Sequence, residues 1–460
     1  MAGGVKKPVN IFRLDTLGEP KEIFNHRLWL AVFSFSLLGA ARGVDEGLIS
    51  GAFNSKHFQD SIRYGSYTKV EQANIKANVS AMVQIGSVGG AFMQVPVTVL
   101  LMTGLTLLDS AFLVCDRIGR IWATRQLCVL WITGIAVFMA SNGNLGAVYA
   151  GRFIAGLGIG QTPVVGPVYI AEIAPASIRG LCTCLFTGFV YLGIVLAYFT
   201  NYGCQLNMGD TTAARWQVPT GLHIIFAGLI LILTLAQSES PRYLIMKRHH
   251  NKALQAMSRL RQLPWHHAYV VSEIDSIKDA LRRETAAATS PGRLGGGILT
   301  EAFTNPSNLY RVSLAITAQI LSQWSGAGSI TLYAPDLFHL LGIPDTNTTL
   351  LVTAVFGIVK LAAAVICALF LVDFIGRKRS LLLGISCQAV AMIYVAGFLT
   401  AVPELGHGLD TAETLTGSQL AASKGAVAMI YLSGFGWALG WNSMVCSSFS
   451  RARVLLYIFP

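Results

Sequence analysis

The stretch CDRIGR at Cys115–Arg120 recurs, with two substitutions, as VDFIGR at Val372–Arg377. Each copy follows a long apolar run and leads into another. In a turn between two packed helices, glycine permits tight backbone geometry, and the aspartate can pair with an arginine across the turn. Two copies in equivalent positions predict a chain built from two related halves, as in many polytopic membrane proteins.

The apolar runs around this repeat predict an all-α membrane protein. Of the 460 residues, 53% are hydrophobic and only 12% are charged, whereas a soluble domain carries about 25% charged residues. A helix needs about 20 apolar residues to cross the hydrocarbon core of a bilayer. Such runs predict ten spans, at about 28–48, 79–115, 122–140, 145–165, 180–202, 218–237, 312–333, 350–372, 380–400 and 424–446.

The basic residues predict the orientation and the domain organisation. Lysines and arginines cluster before the first span and after the second and eighth spans, and such clusters mark the cytoplasmic side. We expect a cytoplasmic N-terminus at 1–27, a six-helix bundle at 28–237, a cytoplasmic linker with amphipathic helices at 238–311, a four-helix bundle at 312–446 and a tail at 447–460. This orientation places Asn347, in the sequon Asn347–Thr349, outside the cell as a glycosylation candidate. The prediction is a multi-pass protein of the plasma membrane.

Charge and cysteine usage argue against other classes of protein. The net charge of +11 comes from short loops between apolar runs and not from one basic face, so no nucleic-acid partner is expected. The eight cysteines lack metal-ligand spacing. No nucleophile–base pair or phosphate-binding loop has a suitable setting, so we expect neither an enzyme nor a cofactor.

Three further motifs accompany the paired loops. Gly151–Arg152 opens a glycine-rich fourth span, Pro167–Pro175 (PVYIAEIAP) leads to Arg179–Gly180, and Glu239–Arg242 (ESPR) follows the sixth span. With the paired DxxGR loops, these motifs resemble the sugar porter family of the major facilitator superfamily, particularly its fungal hexose-transporter-like members.

The resemblance implies a major facilitator fold of two six-helix bundles, which rock to open a central site to each side in turn. It also implies a monosaccharide substrate, protons as a partner and a monomer in the lipid bilayer. Charged cytoplasmic motifs would latch the outward-facing state, and by position these are Asp116, Arg117, Gly119, Arg120, Glu172, Arg179, Glu239, Arg242, Asp373, Gly376 and Arg377. The alternative is that these residues only orient loops and anchor helix ends at the membrane interface.

The seventh span carries the residues that the resemblance assigns to the sugar. Gln319, Gln323 and Tyr333 match the pattern of the family, as does Trp441 in the tenth span, whereas Thr187 replaces a glutamine that is usual in the fifth span. Amides both donate and accept hydrogen bonds, and aromatic faces pack on a sugar ring, which suits a polyol ligand. Hydrogen bonding between helices, without ligand contact, is the alternative for the two glutamines.

Two ionisable residues within spans are candidates for proton coupling. Asp45 lies late in the first span and Arg152 early in the fourth, and charges inside a membrane are costly and usually functional. The resemblance places them opposite each other, with the carboxylate as the proton carrier. The alternative is that Asp45 is partly hydrated and only orients its helix. Lys360, within the apolar eighth span, is also unusual and either snorkels or lines the cavity.

Two departures from the family pattern carry expectations of their own. The second span has an excess of roughly 18 residues, which we interpret as an insertion at about 92–110. After the tenth span the family continues with two more helices, so this sequence holds about ten of the usual twelve. We expect transport to require both removal of the insertion and a normal C-terminus. A transporter-like sugar sensor and a sugar-acid carrier remain alternatives to a hexose carrier.

Overall fold

The computed structural model describes residues 19–53, 55–94, 118–289, 306–343, 345–367, 377–402 and 417–441. Within these ranges the chain is helical and contains no strand. Seven of the described helical segments are long and apolar enough to cross a membrane. An apolar helix is the expected state of such a chain, because a helix satisfies its backbone hydrogen bonds internally.

The first half and the linker form eleven helices among the described residues. They are α1 (His26–Phe53), α2 (Lys56–Ser61), α3 (Lys69–Gln94), α4 (Arg120–Met139), α5 (Leu145–Ile159), α6 (Thr162–Ile173), α7 (Arg179–Asn207), α8 (Ala214–Leu235), α9 (Pro241–Met246), α10 (His250–Arg261) and α11 (Ala268–Thr289).

The second half adds six helices to the described part of the chain. They are α12 (Pro306–Trp324), α13 (Ala327–Leu332), α14 (Ala334–Leu340), α15 (Thr346–Ile366), α16 (Arg377–Ala401) and α17 (Gly417–Leu439).

Each predicted span overlaps a helix, with two internal breaks. The fourth span divides into α5 and α6 at Gly160–Gln161. The seventh divides into α12 and α13 at Gly326, whose φ of 79° is a conformation that glycine adopts without strain. The second span corresponds to α3, which is described as far as Gln94. The remainder of the proposed insertion, 95–110, lies outside the described residues, so the insertion stays a prediction.

Small residues bring the helices of the first half into close backbone contact. Gly86 of α3 faces Gly156 of α5, and Gly43 of α1 lies against the backbone of α7 at Val190. A side chain at these glycines would collide with the neighbouring helix. Without a hydrophobic driving force in lipid, such close packing stabilises helix association through van der Waals contact.

The second half packs around its own apolar core, which reaches α7 of the first half. α7 is the main element that joins the halves, because α15 packs along it. Gly357 of α15 fits against Tyr198 and Val195 of α7. The Tyr198 hydroxyl also donates to the carbonyl oxygen of Thr331 in α13, over 2.7 Å.

The linker helices dock on the first half. Buried apolar residues of α9, α10 and α11 surround Ile23, which precedes α1. Arg261, fully buried, pairs with Glu273 through N–O distances of 2.6 and 3.0 Å. The Asn25 amide donates to the carbonyl oxygen of Leu260. The linker is therefore a packed layer over one end of the first half.

Candidate functional site

Three helices bring an aspartate, an arginine and a histidine together inside the first half. Asp45 of α1 lies with its Oδ1 3.3 Å from Nη1 of Arg152 in α5. Nε2 of His223 in α8 lies 3.5 Å from the same Oδ1. Asp45, Arg152 and His223 are 5%, 3% and 2% exposed. The structure thus places Asp45 and Arg152 within ion-pair distance, as the resemblance implies.

Aromatic rings enclose this group of charges. The guanidinium of Arg152 lies over the ring of Phe138 at 5.6 Å, and the ring of Trp131 meets His223 edge-on at 5.8 Å. Nε and Nη2 of Arg152 are buried and make no hydrogen bond among the described residues. Unsatisfied polar atoms in a core cost free energy and are uncommon in native folds. Sequence reasoning missed His223, although a histidine within an apolar span was the signal.

The predicted latch residues Arg120 and Glu172 form a buried, bidentate ion pair. Nε and Nη2 of Arg120 donate to the two carboxylate oxygens of Glu172, each over 3.0 Å. Arg242 approaches the same carboxylate, with its Nε 4.0 Å from Oε1. A paired guanidinium and carboxylate of this geometry is among the stronger polar contacts in proteins, so it ties α4 to α6.

Glu239 caps the first turn of α4 from a distant part of the chain. Its carboxylate accepts hydrogen bonds from the backbone N–H groups of Arg120 (2.8 Å) and Ile121 (3.3 Å). The preceding residue, Gly119, has a φ of 100°, and a side chain there would collide with Glu239. Burial raises the pKa of Glu239, and the hydrogen bonds from Ser240, Arg120 and Ile121 partly offset that increase.

Among the described residues, the remaining predicted latch residues do not join the contacts around Glu172 and Glu239 that are given above. Arg179 is exposed at the start of α7, and its Nη2 donates to the carbonyl oxygen of Ala174 over 3.4 Å. Arg377 begins α16. Asp116, Arg117, Asp373 and Gly376 lie outside the described residues, so the latch of the second half stays a prediction.

The predicted sugar-binding residues occupy mixed environments. Gln319 and Gln323 are exposed on α12, whereas Thr187 and Tyr333 are half-buried. Trp441 is 7% exposed, and its indole N–H has no hydrogen-bond partner among the described residues. Their contact with a substrate stays a prediction.

A crevice in the second half contains a buried lysine. Lys360 of α15 is 3% exposed, and its Nζ donates to the hydroxyl of Thr331 over 2.6 Å. Nζ also lies over the rings of Phe356 (5.3 Å) and Tyr191 (5.7 Å). Within the described ranges, no carboxylate lies in ion-pair distance of this ammonium group. The crevice is lined by Ala327, Ile330, Phe356, Lys360, Ser433, Gly434 and Trp437.

The sequon lies in the first turn of α15. Asn347 is exposed, whereas Thr349 is 4% exposed and its hydroxyl donates to the carbonyl oxygen of Ile343. Modification of Asn347 therefore stays a prediction.

Membrane-length helices in two halves, with charges buried inside the helix packing, are typical of multi-pass transporters. A family model described as "Sugar (and other) transporter" matches residues 31–451. The chain belongs to this family, the sugar porters of the major facilitator superfamily, which confirms the resemblance and the fold class.

Curated relatives and solved structures agree with this assignment. The chain is 28% identical over 388 residues to a "Probable quinate permease" of Aspergillus niger, a match that covers 83% of this chain and 68% of the relative. It is 29% identical over 391 residues to the "Quinate permease" of Emericella nidulans, covering 84% and 68%.

Among solved structures, the fold is similar to the xylose transporter XylE from E. coli in a partially occluded inward-open conformation. That match has a TM-score of 0.69 and 19% identity, and it covers 94% of this chain and 88% of the other. The proton:xylose symporter XylE bound to 6-bromo-6-deoxy-D-glucose also matches, with a TM-score of 0.69, 22% identity and coverage of 94% and 82%. Because the sequence identities to these two structures are only 19% and 22%, the matches show the fold alone.

Proposed function

We propose that this protein carries a polyhydroxylated small molecule across the plasma membrane by alternating access, with a proton bound at Asp45 during the cycle. The buried ion pair between Asp45 and Arg152 is the observation that carries the proposal. Removing one partner from a buried ion pair costs about 3–5 kcal/mol, because the other charge is left uncompensated. Protonation of Asp45 avoids this cost whenever the two groups separate. Proton binding and conformation are therefore linked.

The latch contacts support the rocking of two bundles. Arg120, Glu172 and Glu239 make the cytoplasmic end of the first half rigid, so that it moves as a unit. The halves meet along α7 and α15, where a glycine fits against aromatic and aliphatic side chains. In the proposed orientation the N-terminus is cytoplasmic, and a single chain provides the whole transport path.

The first candidate for the substrate is a monosaccharide. Gln319, Gln323 and Tyr333 supply the amide and hydroxyl groups that recognise a polyol, and they lie on the segment where the sugar porter pattern places substrate contacts. Thr187 and Trp441 complete the proposed set. These five side chains would act together only when α12 approaches the rest of the second half.

The second candidate is a hydroxylated carboxylate, and Lys360 favours it. Among the described residues, this buried ammonium group has a hydroxyl and two aromatic rings as neighbours and no carboxylate within ion-pair distance. A carboxylate ligand would provide the negative counter-charge. Relatives of this chain are named as quinate permeases, and quinate is a ring polyol that bears a carboxylate.

Uptake into proteoliposomes tests the proposal directly. Because transport is expected to require removal of residues 92–110 and a normal C-terminus, all variants are compared in a version with both changes, called the unmodified protein below. We expect labelled substrate from a panel of hexoses, pentoses and quinate to accumulate in it when a pH gradient is imposed. Asp45→Asn should retain substrate exchange but lose accumulation. Asp275→Asn is the matched control, because Asp275 is exposed in the linker, where it pairs with Lys278. Equal accumulation by Asp45→Asn and the unmodified protein would reject the coupling role.

A lysine variant separates the two substrate candidates. Hydrogen bonds to charged groups contribute about 1.5–3 kcal/mol, so Lys360→Met should weaken quinate binding by roughly 10- to 100-fold. Hexose binding should change by less than about threefold. Lys424→Met is the control, because Lys424 is exposed on α17 of the same half. Preferential transport of a neutral hexose, with no selective effect of Lys360→Met, would favour the monosaccharide.

A further inference from the structure

His223 lies at the centre of the helix packing, beside the carboxylate to which the proposed function assigns the proton. Its ring is 2% exposed, and its Nε2 faces Oδ1 of Asp45 at 3.5 Å. Trp131 packs edge-on against the ring. The position of the imidazole is thus determined on several sides, and one nitrogen points at the carboxylate.

The other ring nitrogen determines which tautomer is present. Nδ1 of His223 lies 3.0 Å from the carbonyl oxygen of Thr220, one turn earlier on α8. A carbonyl oxygen can only accept, so this contact is a hydrogen bond only when Nδ1 carries the hydrogen. A neutral His223 then presents the lone pair of Nε2 to Asp45.

A neutral imidazole and an ionised carboxylate would therefore face each other as two acceptors. Nε2 of His223 and Oδ1 of Asp45 are both buried, and neither makes a hydrogen bond among the described residues. One proton between them removes the mismatch: either an imidazolium donates to the carboxylate, or a carboxylic acid donates to the imidazole. We propose that His223 and Asp45 share the proton that this transporter moves, an inference that rests on the proposed function.

The surrounding charges are compatible with a shared proton. Arg152 of α5 is the nearest cation to Asp45, and Arg42 and Glu46 of α1 pair with each other at 3.2 Å. α4 contributes the non-titrating rings of Trp131 and Phe138 to this region. α7 contributes the amide of Asn201, which donates to the carbonyl oxygen of Gly47.

An imidazole is a second group beside the carboxylate that can bind the proton. A free carboxyl of aspartate titrates near pH 3.9, whereas an imidazole titrates near 6.5. Histidine is the side chain whose ordinary titration lies between about pH 5 and 8. His223 gives the proton a second binding atom on α8, a different helix from the one that carries Arg152. His223 thus binds the transported proton jointly with Asp45.

The test compares net transport with exchange in proteoliposomes, with the membrane potential held at zero. A gradient of one pH unit sustains at most about ten-fold accumulation if one proton accompanies each substrate molecule. We expect this accumulation in the unmodified protein and a loss to about one-fold in His223→Asn. The asparagine amide still donates to the Thr220 carbonyl oxygen but cannot hold the proton. Exchange, which needs no net proton movement, should stay within about two-fold.

Two further variants make the result decisive. His57→Asn is the matched control, because His57 lies on α2 beside Trp216, away from Asp45. Asp45→Asn combined with His223→Asn should retain as much exchange as Asp45→Asn by itself, since both residues serve one proton. Full accumulation in His223→Asn, or additive losses of exchange in the double variant, would overturn the proposal.

A spectroscopic readout separates this inference from the proposed function. In pH-difference infrared spectra of the reconstituted protein, the C=O band of protonated Asp45 is identified by its absence in Asp45→Asn. We expect His223→Asn to shift this band and His57→Asn to leave it unchanged. An unshifted band overturns the shared proton even if no test substrate is transported. A shifted band without any transport contradicts only the proposed function.

Discussion

At the scale of single residues, the contact between Gly119 and Glu239 is the most sensitive point of the predicted latch. Gly119 has a φ of 100°, and a side chain there would meet the Glu239 carboxylate. We predict that Gly119→Ala lowers the free energy of unfolding by about 1–3 kcal/mol, because φ 100° with ψ 165° is a backbone conformation essentially restricted to glycine. Thermal unfolding in detergent measures the effect.

Gly228→Ala is the matched control for this substitution. Gly228 lies inside α8, with no atom near the position of an added methyl group. Alanine is the better helix former, by up to about 1 kcal/mol, so Gly228→Ala should maintain or raise the unfolding temperature. Equal effects of the two substitutions would show that the turn before α4 is not strained.

At the scale of an element, Asp345 sets the start of α15. Its carboxylate accepts hydrogen bonds from the hydroxyl and N–H of Thr348 and the N–H of Asn347. The Thr348 hydroxyl is the largest of the causes that lower the pKa of Asp345 below its ordinary value of 3.8. A lowered pKa in the folded state means that the contribution to stability is complete above about pH 4 and is lost as pH falls further.

Two substitutions distinguish the cap from its charge. Asparagine is as good a cap as aspartate but does not titrate, so we predict that Asp345→Asn loses less stability than the unmodified protein between pH 6 and about 3.5. Asp345→Ala should be less stable than Asp345→Asn at both pH values, because alanine provides no cap. Unfolding temperatures at the two pH values provide the measurement, and identical pH dependence in Asp345→Asn would contradict the assignment.

At the scale of the whole molecule, a partly exposed ion pair among the described residues joins the two halves. Nζ of Lys76 in α3 lies 2.7 and 2.8 Å from the carboxylate oxygens of Asp336 in α14. By the predicted orientation, this end of the molecule faces outside. The side chains are 20% and 45% exposed, and such pairs contribute about 0–1 kcal/mol. We predict that Lys76→Glu raises the population open to the outside by up to about five-fold.

Distances between spin labels at Ser66 and His339 would detect this opening, in a background without native cysteines. Both positions are exposed at the same end of the molecule as the ion pair. Combining Lys76→Glu with Asp336→Lys restores the attraction with exchanged signs, so the distance distribution should return toward that of the unmodified protein. A distribution that stays open in the double variant would show that charge pairing does not control this end.

The sequence by itself determined the class of protein and the approximate position of its spans, because the length of an apolar run and the charges that flank it are local properties. The family resemblance also predicted that Asp45 and Arg152 lie opposite each other, and the structure brings them to 3.3 Å. The roles of these residues, and of Arg120 and Glu172, stay predictions. Only the tertiary structure brought His223 to Asp45, because they lie on helices far apart in the chain.

The same reason explains the cap that Glu239 provides to α4 across 119 residues of sequence, and the enclosure of Lys360 between α13, α15 and α17. These contacts depend on which helix faces pack together. In lipid, that packing is decided by the fit of small residues against neighbouring backbones and not by apolar periodicity, because every face of a spanning helix is apolar.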